Sequence, residues 1–212
     1  MAARISQVTA SRQERRKEAT RAKIQAAAED LFDARGYADT SIEDISQAAD
    51  VAVRTIYLHF GSKAAIMLAY FDDWMDVFVA EIIQRPPDEP VVDTTEAALH
   101  AMNEAGWTDR VENTDLKVHP IVEHLYDGAP DIAGYVVQRW MREIDRLSDD
   151  AALRGEYPAG SLEPRARAVA VFSGWISAMI AGHCRGREPG LPATSDRGQG
   201  LEVLALLTRG GI

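Results

Sequence analysis

Two glycines near the start of the chain limit what its first third can become. Upstream of Gly36, residues Ile24, Ala27, Ala28, Leu31 and Phe32 follow the i, i+3, i+4, i+7, i+8 rule. That spacing gathers apolar side chains on one face of a helix, and a glycine is its usual stop. Between Gly36 and the next break, Gly61, only short elements fit. Thr40 or Ser41 with an acid three residues on (Glu43 or Asp44) is a helix-start signal. It predicts a second helix running to about Ala49. Asp50-Val51-Ala52 is then a turn, and a third helix covers about Val53 to Phe60. Ser62 caps a long fourth helix containing Ile66, Tyr70, Trp74, Val77 and Phe78.

The rest of the chain continues in the same style. Alternating Val/Ile/Thr runs are missing, so the expectation is an all-α protein: an N-terminal three-helix unit followed by a larger helical domain. Pro86-Pro87 and Pro90 mark a linker. Further helices are expected at about 94–106, 115–126, 131–153, 162–184 and 200–209, with GREPGLPATSDRGQG as a mobile loop. The longest uncharged run, Ala168 to Cys184, falls short of the roughly 20 apolar residues of a membrane span and reads as a buried helix. The first 25 residues hold seven basic groups and no continuous apolar run, which argues against a signal peptide. Cys184 is the only cysteine, so a disulfide within the chain and a cysteine metal cluster are both excluded. A cytoplasmic location without membrane contact is expected.

From Ile42 to Phe60 the spacing fits a DNA-binding helix-turn-helix. Ile45, Ala49, Val51 and Ile56 sit where the two helices must pack, and Asp50 takes the turn position that usually needs a positive φ, which Asp tolerates. The polar residues of the third helix then face outward, as a recognition helix requires. The formal charge of -10 looks adverse to binding a polyanion, but the charge is uneven. Residues 1–25 hold seven basic against two acidic groups, and residues 64–212 hold 13 basic against 24 acidic. Fields fade within a Debye length of about 8–10 Å at physiological salt, so the basic end can meet phosphates while the acidic bulk stays away.

The stretches IQAAAEDLFDARGY and TSIEDISQAADVAVRTIYLHFGSKAAIM resemble the tetracycline-repressor (TetR) family of bacterial transcriptional regulators, over roughly residues 18 to 70. Three positions depart from the family pattern: Ser46 where Ala is usual, Asp50 where Gly is usual, and Gly61 where Pro is often found. The resemblance implies a basic arm at 1–17, a DNA-binding domain at 18–63 and a helical effector-binding and dimerisation domain at 64–212. It also implies that Thr40 or Ser41 offers the second helix's N-terminus to a phosphate, and that Thr55, Tyr57, His59 and Lys63 clamp the DNA backbone, contacts that set register rather than read sequence. Val53 and Arg54 lie where the family reads bases. Arg can fork onto guanine, whereas Val can only touch a thymine methyl. Glu43 either accepts from cytosine N4 or complements the helix dipole.

One helix-turn-helix reads few base pairs, so a homodimer on a palindromic operator, with reading heads about 34–36 Å apart, is expected. Small residues at four-residue spacing (Ser173-Gly174, Ser177-Ala178, Ala181-Gly182) together with Leu201, Leu204 and Leu207 predict a four-helix dimer interface. The family further implies an apolar pocket for a small-molecule effector. Trp74, Phe78, Met102, Trp107, Tyr135, Trp140, Met141 and Trp175 are its candidate lining, with His119, His124 and Tyr126 as polar groups. An enzyme is the rival class, but His119 and His124 are five apart across Pro120, off the i, i+4 face of a metalloprotease helix, and no phosphate loop or nucleophile elbow occurs. A helical interaction module that has lost DNA binding is the other alternative. No catalytic residue, metal or cofactor is expected.

Overall fold

The computed structural model describes residues 12–107, 125, 128–155, 157–185 and 196–209, leaving aside the side chains of 178–185 and 196–199. All regular structure among them is helical. The chain divides into two compact units, Met1–Tyr70 and Phe71–Ile212.

In the first unit, α1 (Arg12–Arg35) buries Ile24, Ala28 and Phe32. Its start at Arg12 makes residues 12–17, read from sequence as part of a basic arm, the opening turns of a helix. Gly36 ends it at φ +83, and its N–H donates to the Phe32 carbonyl at 2.8 Å. A Cβ on Gly36 would meet nothing within 4 Å, so the backbone angle, not space, calls for glycine. Next, α2 (Ile42–Ala48) starts with a capping box. The Asp44 N–H donates to Ser41 Oγ at 3.1 Å, and the Ser41 N–H donates to the Asp44 carboxylate at 2.9 Å. Asp50 turns the chain at φ 46, and α3 (Val53–His59) follows. Ile45, Ala49, Ile56 and Phe60 form the core between the elements. Each fully buried Ile there contributes roughly 1.5–3 kcal/mol of burial.

The long fourth helix expected from Ser62 onward is two helices. Ser62 caps α4 (Lys63–Met67) by accepting from the Ala65 N–H at 3.1 Å. Leu68, at φ −100 and ψ 16, then interrupts the helix before α5 (Ala69–Ile83). Neither Gly nor Pro marks this break. Because Ala64, Ala65 and Ile66 are buried and α4 packs on α1, the first unit extends past the boundary read at residue 63.

The second unit contains α6 (Val91–Glu104), α7 (Pro130–Arg154), α8 (Glu163–Arg185) and α9 (Asp196–Thr208). Helices α8 and α9 make its closest pairing, and α8 also lies on α7. The prolines at 86, 87 and 90 form a braced corner rather than a loose linker. The Tyr157 hydroxyl donates to the Pro87 carbonyl at 2.9 Å, Arg154 donates to the Arg85 carbonyl at 3.0 Å, and Arg85 donates to Glu89 at 2.7 Å. The expected helix at 115–126 lies outside the described residues apart from Leu125. Helix α9 starts within the segment read as a mobile loop.

Candidate nucleic-acid interface

The turn between α2 and α3 is held from both sides. The Val51 N–H donates to the Ser46 carbonyl at 3.1 Å, and the Ser46 hydroxyl donates back to the Val51 carbonyl at 2.6 Å. Alanine at position 46 could not make the second bond. Asp50, the only non-glycine residue with positive φ among those described, lies 3.7 Å from Lys23 of α1. With Ile45, Ala49 and Ile56 buried beneath, α3 can turn only its other face outward.

That outer face carries Arg54, Tyr57 and Leu58, all exposed, Tyr57 at 54% and Leu58 at 71%. Val53, Thr55 and His59 flank it, partly covered. Glu43 is exposed on α2. Sequence alone does not single out Leu58, because an apolar residue on a helix reads first as core. Its exposure beside Tyr57 and Arg54 puts it on the same outer face of α3.

Three residues expected to touch phosphate have internal duties. Thr40 is 1% exposed, and its hydroxyl donates to the Gly36 carbonyl at 2.9 Å, so that side chain faces inward. The Lys63 ammonium donates to the carbonyls of Tyr37 (2.8 Å) and Thr40 (2.9 Å) and lies 4.1 Å from the centre of the Tyr37 ring. Two of its three donors are thus engaged in tying α4 to the α1–α2 connection. Ser41 is exposed, but its hydroxyl serves the capping box. The partner in that box, Asp44, is also paired with Arg35 at 2.7 Å. The hydrogen bonds from Ser41, and then Arg35, lower the Asp44 pKa to about 2. His59 is held below its usual 6.5, first by burial and then by Lys17 and Arg21.

In the second unit the predicted pocket residues behave mainly as core. Trp74 stacks on Phe78 at 5.1 Å and on Trp175 at 5.2 Å, Trp175 meets Trp140 edge-on at 5.9 Å, and Met102 is fully buried. Met141 is half exposed and Trp107 partly so. The Tyr135 hydroxyl donates to Asp72, and burial followed by that bond pushes its pKa up to about 12. Arg139 links Asp72 (3.5 Å), Asp76 (2.6 Å) and the buried Glu143 (3.1 Å). His119, His124 and Tyr126 lie outside the described residues. A cavity of about 50 Å³ elsewhere in this unit is lined by Ile82, Val91, Leu147, Ala168 and Val171 among others, and contains none of the predicted lining. Ligand pockets run to about 300 Å³ or more, so this cavity is water-sized.

The small-residue stripe on α8 has a use inside the chain. A Cβ on Gly174 would come 2.9 Å from the Gly200 carbonyl oxygen and 3.1 Å from Leu204 Cβ. Gly174 therefore lets α9 approach α8 of the same chain, and Leu204, 1% exposed, fills that contact. Neither has the free surface that the expected dimer face requires. Ser173 and Ser177 return their hydroxyls to the carbonyls of Val169 and Ser173, both at 2.8 Å. Leu201 is partly covered, while Leu206 and Leu207 are about half exposed. The side chains of Ala178, Ala181 and Gly182 fall outside the described residues.

Two short helices joined by a locked turn, the second with Arg54 and Tyr57 on its exposed face, have the arrangement of a helix-turn-helix. Residues 24–70 match the family described as bacterial regulatory proteins, tetR family. The chain is 27% identical over 125 residues to the HTH-type transcriptional regulator TcmR of Streptomyces glaucescens, covering 59% of this chain and 55% of TcmR. It is 29% identical over 164 residues to the HTH-type transcriptional regulator TtgR of Pseudomonas putida, covering 73% of this chain and 75% of TtgR. The chain thus spans little more than half the length of the first of these relatives. No helix among the described residues is long and apolar enough to cross a membrane.

Proposed function

We propose that the protein is a transcriptional regulator that binds a palindromic operator as a homodimer, most simply as a repressor released by a small apolar or amphipathic effector. The observation that carries this reading is the outward face of α3, with Arg54, Tyr57 and Leu58 exposed on a turn fixed by Asp50 and Ser46. In this reading Arg54 forks onto a guanine and Val53 meets a thymine methyl. Thr55, Tyr57 and His59 hold the sugar-phosphate backbone, and Ser41 presents the start of α2 to it. Glu43 borders the same surface. Lys63 acts chiefly by holding α2's entry in place, with one donor left for phosphate.

Half-exposed Leu206 and Leu207 on α9 and Val169 on α8 support a face shared with a second copy. An effector in the second unit would have to open space that the aromatic cluster now fills. By linkage it would favour release only by binding the DNA-free form more tightly. The homologous regulators support a role other than catalysis, and a cytoplasmic setting follows from acting on DNA.

Selection of bound genomic fragments by the purified protein tests the central claim. Recovery of a common palindrome supports it, and a Tyr57→Ala protein that folds but enriches the same fragments equally well would overturn the assigned face. Arg54→Ala is expected to relax preference at one position per half-site. Uniform weakening across sequences would instead make Arg54 a phosphate contact.

A further inference from the structure

We infer that Gln47 of α2 is a specificity-determining residue of the DNA contact, its amide reading the major-groove edge of an adenine beside the bases met by α3. This rests on the DNA-binding reading above and adds a base preference to it.

An open concavity runs along α2, the turn and the start of α3, with Glu43, Gln47, Asp50 and Val53 in its lining. Glu43 and Gln47 are four residues apart, so they share one face of α2, and both are exposed. The backbone of Gln47 belongs to the locked turn, because its carbonyl accepts from the Asp50 N–H at 3.2 Å. The turn that carries Val53 thus also holds Gln47. The side-chain amide of Gln47 is engaged by no other described residue, which leaves its two donors and its acceptor open. The neighbouring hydroxyl of Ser46 is already given to the Val51 carbonyl at 2.6 Å.

The charges around Gln47 decide which part of a duplex can meet it. No lysine or arginine lines the concavity. Glu43 has no cationic partner among the described residues, and the exposed Asp50 carboxylate has Lys23 at 3.7 Å. A phosphate placed here would face two carboxylates. A base edge carries no net charge, and one that presents an amino donor is favoured beside acceptors. Of the four bases, adenine alone presents an amino donor next to a ring acceptor in the major groove, the pattern a glutamine amide completes with two hydrogen bonds. Val53, in the same lining, suits a thymine methyl group. The two side chains together favour A·T over G·C at this part of the operator.

The test measures affinities of the full-length protein by anisotropy on the duplex recovered by fragment selection. In one half-site each adenine is replaced in turn by 7-deazaadenine, which keeps base pairing but lacks the N7 acceptor. At one position this should weaken binding of the parent roughly fivefold, about one hydrogen bond. Gln47→Ala should lose that sensitivity and keep the preferences at all other positions. Gln47→Glu should move the preference at that pair from adenine to cytosine, whose N4 donates to a carboxylate. Gln47 is exposed and alanine is the better helix former, so the Ala variant does not endanger the fold. A parent indifferent to every 7-deazaadenine overturns the assignment. So does a Gln47→Ala protein weakened equally on every duplex, which marks a backbone contact. If Gln47→Ala matches the parent throughout while Arg54→Ala still relaxes a preference, Gln47 falls and the DNA reading stands. If the selection recovers no duplex, both fall.

Discussion

Asp50 shows a backbone demand overriding a side-chain preference. At φ 46 it holds a conformation that costs most L-residues about 1–2 kcal/mol, less for Asp. Asp50→Gly is expected to leave stability unchanged or raise it by up to about 1 kcal/mol. Asp50→Val should lower it by about 1–2 kcal/mol in a denaturant melt, and a stable Val variant would refute the strained-turn account. This position is legible from sequence because the spacing of Ile45, Ala49 and Ile56 leaves room only for a sharp turn. Lys63 is less legible. A lysine's sequence position does not show which carbonyls its flexible stem will reach, and here they belong to residues 26 and 23 positions upstream. Lys63→Met should cost about 1–3 kcal/mol of stability. An unchanged melting curve with lost DNA binding would return Lys63 to a purely phosphate-facing role.

For the elements, helix starts are easier to read than helix continuity. Ser41 with Asp44 and Ser62 before Lys63 both cap as their chemistry suggests, since a hydroxyl next to unsatisfied N–H groups has few better partners. The break at Leu68 carries no local signal, and only packing reveals it. The α2 cap is also open to titration. The Asp44 pKa is lowered from 3.8 to about 2, so its stabilising effect is fully present above about 3.8 and is lost as pH falls toward 2. Asp44→Asn should flatten that part of the acid-unfolding curve; an identical acid limb would show that the cap adds nothing. The small-residue stripe on α8 illustrates a limit of pattern reading, since glycine permits close approach without naming the neighbour. Gly174→Ala drives a methyl group against the Gly200 backbone and should cost about 1–3 kcal/mol. Because the contact lies within one chain, the loss should not depend on protein concentration.

At the level of the whole molecule, separation of charge matters more than its sum. The acidic excess lies after residue 63, while α3 supplies the Arg54 cation of the proposed interface. The aromatic residues expected to line a pocket are large and apolar, as their types dictate, but sequence cannot distinguish a filled core from an empty one. Trp74, Phe78, Trp140 and Trp175 fill theirs. For the proposed dimer, light scattering at micromolar concentration should give twice the chain mass, and Leu206→Glu with Leu207→Glu should halve it without unfolding the chain. A monomeric parent would rule out that assembly.

The bonds joining Ser46 to Val51 have a thermodynamic consequence. They hold the turn between α2 and α3 in the folded chain, so this part of the proposed contact surface would lose little conformational freedom on binding DNA. Calorimetry on a short operator should then show a heat-capacity change matching rigid burial of the α3 face, and not the greater change that accompanies folding coupled to binding.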